Sequence, residues 1–520
     1  MNKNIIRSIY IFSTLAMFAS CAKDIGNYDY KEINEVNIGN FDSQNGYQVL
    51  YGQVLSITPD LKMTMDNNPS AAGYSFEWSL RLPGVQGVNG KVARDSVLSN
   101  EQNFNKKIEL TPGSYVLQYK VTDNATNMRF QQRANLNVTT EVYEGFLILN
   151  DVNGQSRLDM ISAKKNATDS LVQYTDVLAR MGSSLPMQGT PYQVNAMLWT
   201  RSNIDPQNYG IFVLNGAGTN RINQETFAWN PTLNIRYQML GNVPANFTAE
   251  RITGKFSGAI TISYLLYANG NMYTYSTSGG YIFKYEPVNI YSVSSAPFRV
   301  SKYAATNGNM GLMYDMDARR FVHLTTYSNA NVTALPSNFN YPTGYDLVYM
   351  EKGYNNVVFA ILQDPATSKR YVLRVRLNTA FNTNSGDYFK EITGTDIASA
   401  TSFAMSPELG YLFYSVGGKV YEYDASLGTS ILMVDRGAEE VSYLDFQFFY
   451  NALGAKANPN YRNWRNWLVV GSYNPAGPAG NNGTLKLFSV PPVNGQLVEK
   501  ISFSGFGKIV SVSYREREVW

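Results

Sequence analysis

The 520-residue chain has one cysteine, Cys21, and one histidine, His323. A lone cysteine rules out an internal disulfide, so nothing in this chain is stapled covalently. A single histidine excludes a metal site built from several imidazoles and leaves a Ser-His-Asp triad only one base to draw on. Charge is scarce as well: Asp, Glu, Lys and Arg make up 16% of the residues, against the usual quarter, with a net charge of +3. No run of Lys and Arg stands out, which argues against nucleic-acid binding, because phosphate recognition rests on clustered cations. After residue 21 no apolar run approaches the roughly 20 residues that cross a bilayer as a helix. No P-loop is present, and Gly216-Ala217-Gly218 and Gly417-Gly418 read as hairpin turns without the strand-to-helix context of a dinucleotide site. No cofactor and no metal is expected.

Aromatic and turn residues are plentiful. The chain carries 38 Tyr, 26 Phe, 41 Gly and 20 Pro. Tyr and Phe favour pleated, half-buried surfaces and Gly and Pro supply turns, so the expected class is all-β. Residues 1–21 read MNKNIIRSIYIFSTLAMFASC, with Lys3 and Arg7 ahead of an apolar stretch from Ile9 to Ala19. That is a secretory signal pattern, too short to span a membrane. Ala19 and Ser20 sit directly before Cys21, which resembles a bacterial lipobox, although Phe18 stands where leucine is more usual. The resemblance implies acylation of Cys21 and a lipid anchor. Lys23-Asp24 partly resembles the charged signal that places such lipoproteins of Bacteroidota on the outer membrane, facing the exterior. Residues 22–35 read as a flexible tether.

Residues 36–142 behave as one unit of short alternating segments. Tyr74, Phe76 and Trp78 fall on one face at period two, as do Tyr115, Leu117, Tyr119 and Val121. A buried tryptophan on a middle strand followed by a late Gly-x-Tyr strand suits a two-sheet sandwich. GNYDYKEINE, YSFEW and GSYVLQYKVTD, continuing into GFLILNDVNGQSRLDMIS, resemble the PKD-like lipoproteins of Bacteroidota, whose first domain is immunoglobulin-like.

Residues 143–520 hold a repeat of apolar strand, polar turn and second strand, starting near Gly145, Gly210, Tyr264, Leu312, Val358, Tyr411 and Trp467. The starts lie 46 to 65 residues apart, close to the about 40–50 residues of a propeller blade. A β-propeller follows, of seven blades with six or eight as alternatives, and a stacked solenoid is the competing reading. SLVQYTDVLARM at 170–181 reads as a short helix and SSLPMQGTPYQ as a loop crossing one face.

Catalytic constellations are thin. His323 shares a strand face with Phe321 and reads as a packed residue. Asp315 with Asp317, and Glu439 with Glu440, are the paired carboxylates a glycosidase or lyase would need, though each pair also suits a solvated turn. Asp151-Val152-Asn153-Gly154 matches only a fragment of a calcium loop. Sugar binding fits better, since sugar C–H faces stack on aromatic rings while hydroxyls pair with Asn, Asp, Gln and Arg. The best clusters are Trp199 with Arg201, Trp229, and Tyr461 with Trp464 and Arg465; filling gaps between blades is the alternative role for each tryptophan. Trp464 and Trp467 are three apart and cannot share a face of one strand. Asp95-Ser96-Val97 and Asp169-Ser170-Leu171 resemble short O-glycosylation acceptors of Bacteroidota.

The expected function is a non-enzymatic surface lipoprotein that binds glycan or partner proteins. The family resemblance implies an accessory of a starch-utilisation-type uptake system, with a TonB-dependent transporter and a nutrient-binding lipoprotein as partners. A propeller lyase or glycosidase, and a structural or adhesive envelope protein, are the alternatives.

Overall fold

The computed structural model describes residues 32–66, 70–81, 96–110, 112–142, 144–163, 171–198, 209–254, 263–276, 282–291, 294, 296–306, 311–324, 332–334, 343–353, 357–376, 388–450 and 459–516. The chain divides into two compact units, residues 1–139 and 140–520. Among the described residues no helix is long and apolar enough to cross a membrane.

The first unit is a sandwich. Its main sheet runs Tyr47–Leu50, Arg129–Thr139, Gly113–Asp123, Tyr74–Arg81, Ser96–Ser99, and two short strand pairs complete it, Val36–Gly39 with Asp60–Met63 and Val54–Ile57 with Phe104–Lys107. Alternation puts Leu117, Tyr119 and Val121 inside opposite Trp78. Trp78 is fully buried, stacked 4.2 Å from Tyr119 and 5.1 Å from Phe104. Its indole N–H donates to the Glu101 carbonyl at 2.9 Å, which lets the largest side chain of the core keep its polar atom satisfied.

In the second unit the described residues form seven antiparallel sheets. The first joins Leu171–Tyr174, Gln155–Ala163, Glu144–Val152 and the late strand Lys508–Arg515. The others follow as meanders whose innermost strands are Pro191–Leu198, Arg251–Thr253, Ala305–Thr306, Asp346–Lys352, Ser402–Met405 and Glu440–Phe446. Neighbouring sheets touch in chain order, and the strand Glu440–Phe446 returns to Lys508–Arg515, so the sheets close a ring. This is propeller architecture. Each of the seven repeat starts read from the sequence falls at the second strand of a sheet, because that strand is buried on both faces and is the most continuously apolar.

Apolar layers fill the gaps between successive sheets: Phe146, Val469, Leu485 and Val512 between seventh and first, Leu312, Tyr314, Met350 and Leu362 between fourth and fifth. Each fully buried side chain of this size contributes roughly 1.5–3 kcal/mol. Gly145 opens the second strand of the first sheet at φ 147°, and a Cβ there would sit 2.0 Å from the Ile161 carbonyl oxygen, so no other residue fits the close pairing.

Two local expectations need correction. Residues 170–181 are not one helix: Leu171–Tyr174 is the outer strand of the first sheet, and only Val177–Arg180 is helical, capped by Asp176. The β-branched and aromatic residues before Asp176 pair with Met160 to Ala163, and that pairing outweighs helix formation. The loop ends earlier than its sequence suggests, because Pro191 begins the innermost strand of the second sheet, a position where a missing N–H is tolerated.

Candidate functional site

Five of the innermost strands carry the same local pattern of polar, apolar, polar: Gln193-Val194-Asn195, Arg251-Ile252-Thr253, Tyr349-Met350-Glu351, Tyr443-Leu444-Asp445 and Ser511-Val512-Ser513. Period-two geometry buries the middle residue of each triplet between sheets, Val194 and Met350 at 1% exposure. It turns the flanking pair toward the ring axis, where all five triplets line one cavity of about 160 Å³. The pairing register slips beside the triplets at Pro191/Gln193, Leu347/Tyr349 and Val441/Tyr443, a bulge that re-aims the side chains of the strand.

The two sides of this cavity differ. On one, the polar side chains stitch neighbouring inner strands together. Ser511 Oγ accepts from the Val194 N–H at 3.2 Å, Ser513 Oγ from the Ala196 N–H at 2.9 Å, and Gln193 Oε1 from the Ile252 N–H at 2.7 Å. On the other, each tyrosine hydroxyl donates to the carboxylate two residues on, Tyr349 to Glu351 at 2.6 Å and Tyr443 to Asp445 at 2.9 Å. Burial, then the adjacent carboxylate, pushes both phenols well above the ordinary tyrosine value, so both remain hydroxyl donors through the physiological range. Arg251 adds a cation, its guanidinium 5.1 Å from the centre of the Tyr303 ring.

One end of the axis is crossed by the segment that follows Glu440–Phe446. Gln447 Oε1 accepts from the Tyr514 N–H at 2.9 Å, the Tyr450 N–H donates to Glu516 at 2.6 Å, and the Tyr450 hydroxyl reaches the Gly254 carbonyl at 2.9 Å. Phe448 and Tyr450 therefore form a floor among the described residues, and the cavity is a well lined by aromatic rings, carboxylates and amides.

The residues proposed from sequence lie elsewhere. Trp199 and Arg201, like Cys21, Asp95 and Asp169, fall outside the described residues. Trp229 is half-buried on the long connection after the second sheet, and its indole N–H donates to Asn220 at 3.1 Å. Tyr461 and Trp464 are 1% and 5% exposed, packed against Phe146 and Tyr514 with the Tyr461 hydroxyl on Glu144 at 2.6 Å, so neither offers a ring face to a ligand. They occupy the helical turn Tyr461–Trp464, where residues three apart share a face. Arg465 is half-buried and held by Glu408.

None of the four carboxylates singled out in sequence lines the axial cavity. Asp315 is buried at a hairpin turn, accepting from the Asp317 and Ala318 N–H groups and from the Tyr291 hydroxyl. Asp317 pairs with Arg299, Glu439 with Arg436 and Ser472, and Glu440 accepts from Tyr473. Asp151 closes a turn through the Gly154 N–H at 2.7 Å. His323 is half-buried in the strand Arg320–Leu324, with burial lowering its pKa. Among the described residues no three His, Cys, Asp or Glu side chains cluster as a metal site would require.

No curated protein matches the chain. Solved structures similar to it include a quinonprotein alcohol dehydrogenase-like protein from Bacteroides thetaiotaomicron, 14% identical with a TM-score of 0.41, over 92% of this chain and 100% of that one. The extracellular domain of a protein from the same organism described as a one-component system is 10% identical with a TM-score of 0.33, over 62% of this chain and 36% of the other. The WD40 domain of SCAP from fission yeast is 10% identical with a TM-score of 0.31, over 62% and 85%. Residues 21–191 match the model of the PKD-like family, a span that takes in the sandwich and the early strands of the ring.

Proposed function

We propose that this is an exported, lipid-anchored surface protein whose ring binds a glycan without processing it, as an accessory of a nutrient-uptake complex. The observation that carries the reading is the axial well, where polar pairs from five sheets converge on one cavity beside the rings of Tyr192, Tyr349, Tyr443 and Tyr450. Aromatic faces receive sugar C–H groups, and carboxylates and amides receive hydroxyls. At about 160 Å³ the cavity is smaller than the roughly 300–1,000 Å³ of drug-sized sites, which suits a chain end or a single sugar unit. Lipid anchoring rests on Cys21, the single cysteine at the end of a secretory signal. The outer membrane as destination, and a TonB-dependent transporter with its nutrient-binding lipoprotein as partners, rest on the family resemblance.

Affinity electrophoresis of the mature chain against a polysaccharide panel tests the binding. Retardation by at least one glycan, abolished by Glu351→Gln or Asp445→Asn, is expected; no retardation by any glycan rejects it. Labelled palmitate incorporated by wild type and not by Cys21→Ala tests the anchor. One observation favours a second reading: Glu351 and Asp445 face the same cavity, as a glycosidase pair would. Release of reducing ends from a bound glycan, lost in both variants, would replace binding by hydrolysis.

A further inference from the structure

Glu422 sits in the strand Lys419–Asp424 of the sixth sheet and is 1% exposed. Neither oxygen of its carboxyl group has a hydrogen-bond partner among the described residues. Its cross-strand neighbours are Phe413 and Ile431, and with Val420 these belong to the apolar layer that the seventh sheet completes with Val441, Leu444 and Leu468. An ionised carboxylate without donors is strongly disfavoured in such a layer, whereas the neutral acid is tolerated. Burial pushes the pKa up to about 7, with the Asp424 charge adding to the rise.

The charged groups around it offer no relief. Asp424 lies on the same strand face, its Oδ1 closing the hairpin through the Ser426 and Leu427 N–H groups and its Oδ2 accepting from Asn494 of the seventh sheet. From the seventh sheet Lys486 faces this side and is bridged to Glu499 at 2.8 Å. Arg436, at the connection between the two sheets, is bridged to Glu439 at 2.7 Å. Each cation already holds a carboxylate of its own.

We propose that Glu422 is seated as a neutral carboxylic acid between the sixth and seventh sheets, and that its ionisation loosens their contact and with it one wall of the axial well. The strand Glu440–Phe446 makes the connection: Val441 and Leu444 belong to the layer around Glu422, while Tyr443 and Asp445 face the cavity. The effect on ligand rests on the well being the binding site; the loosening does not.

Hydrogen exchange of the full chain at about pH 6 and about pH 8.5, corrected for intrinsic exchange, reads the contact directly. Peptides covering Lys419–Asp424 and Gly483–Ser489 are expected to exchange about tenfold faster at the higher pH, and Glu422→Gln to abolish that rise. Glu422→Met, equally neutral, serves if the glutamine variant folds poorly. Difference infrared spectra should show a protonated carboxyl band at about pH 6 that Glu422→Gln removes. Equal pH dependence in wild type and both variants, or no such band, overturns the proposal. Glycan retardation should weaken at high pH in wild type alone. If no glycan binds at any pH while the exchange result holds, the binding reading fails and the proton site stands.

Discussion

The Tyr450 hydroxyl donates to the Gly254 carbonyl at 2.9 Å, a bond that joins the seventh sheet to the third across the axis of the ring. Among the described residues no strand pairing connects these two sheets, so this contact ties them through a side chain. Tyr450→Phe keeps the ring and removes the donor, and is expected to lower stability by about 1 kcal/mol in urea unfolding. An unchanged midpoint would detach the floor from that bond.

Arg515 closes the ring from its last strand. Its guanidinium, 1% exposed, donates to the Val142 carbonyl at 2.7 Å and to the Gln224 carbonyl, lies 3.6 Å from Glu225, and sits 5.4 Å from the centre of the Phe227 ring. Arg515→Met should cost about 3–5 kcal/mol, because buried acceptors and a carboxylate lose their cation. Arg515→Lys should recover only part of this, since an ammonium cannot span the fork. Denaturant midpoints of the three chains check the order.

Trp464 bears on stability and not on ligand contact. Trp464→Ala is expected to cost about 3–5 kcal/mol through the cavity it leaves beside Phe146 and Tyr514. At temperatures where the variant remains folded, glycan retardation should match wild type. A selective loss of retardation would return this residue to the binding surface.

In the sandwich, the Tyr119 hydroxyl is buried without a hydrogen-bond partner among the described residues. Tyr119→Phe removes an unsatisfied polar atom and keeps the ring on Trp78, so a gain of about 1 kcal/mol is expected. Calorimetry of the sandwich transition measures it, and a loss of stability would show that the hydroxyl is satisfied in solution.

The sign of the Glu422 effect follows from its pKa, about 7 when folded against 4.5 ordinarily. A raised acid leaves stability intact below about pH 4.5 and removes it as pH climbs through about 7, after which the loss is constant at roughly 3 kcal/mol. Glu422→Gln should therefore be the more stable chain at pH 8 and comparable at pH 5, measured by urea unfolding at both.

The legible parts of this molecule were those where one segment suffices. Stretches such as Gly210 to Leu214 are apolar throughout, and their hairpin turns announce themselves, so the repeat was visible. The axial well was not, because Tyr349-Met350-Glu351 and Tyr443-Leu444-Asp445 look like ordinary half-buried strands until the ring sets them face to face. Their signal was the recurrence of one triplet pattern in strands that precede an apolar hairpin, among them Pro191–Leu198, Asp346–Lys352 and Glu440–Phe446. Tyr461 and Trp464 misled in the opposite direction. Interleaved Arg and Asn suggest a wet loop, but a single helical turn sends the two aromatics inward and leaves Arg462 and Asn463 exposed.

The pairing of Gly145 with Arg515 also sets an order of events. The first ring sheet lacks its innermost strand until nearly the whole chain has been delivered, so a chain that emerges amino terminus first waits with that edge open. The sandwich has no such debt and is complete by residue 139. During synthesis or passage through a membrane, the ring should therefore be the slow, late-closing part and the one most exposed to proteases and to strand exchange between copies.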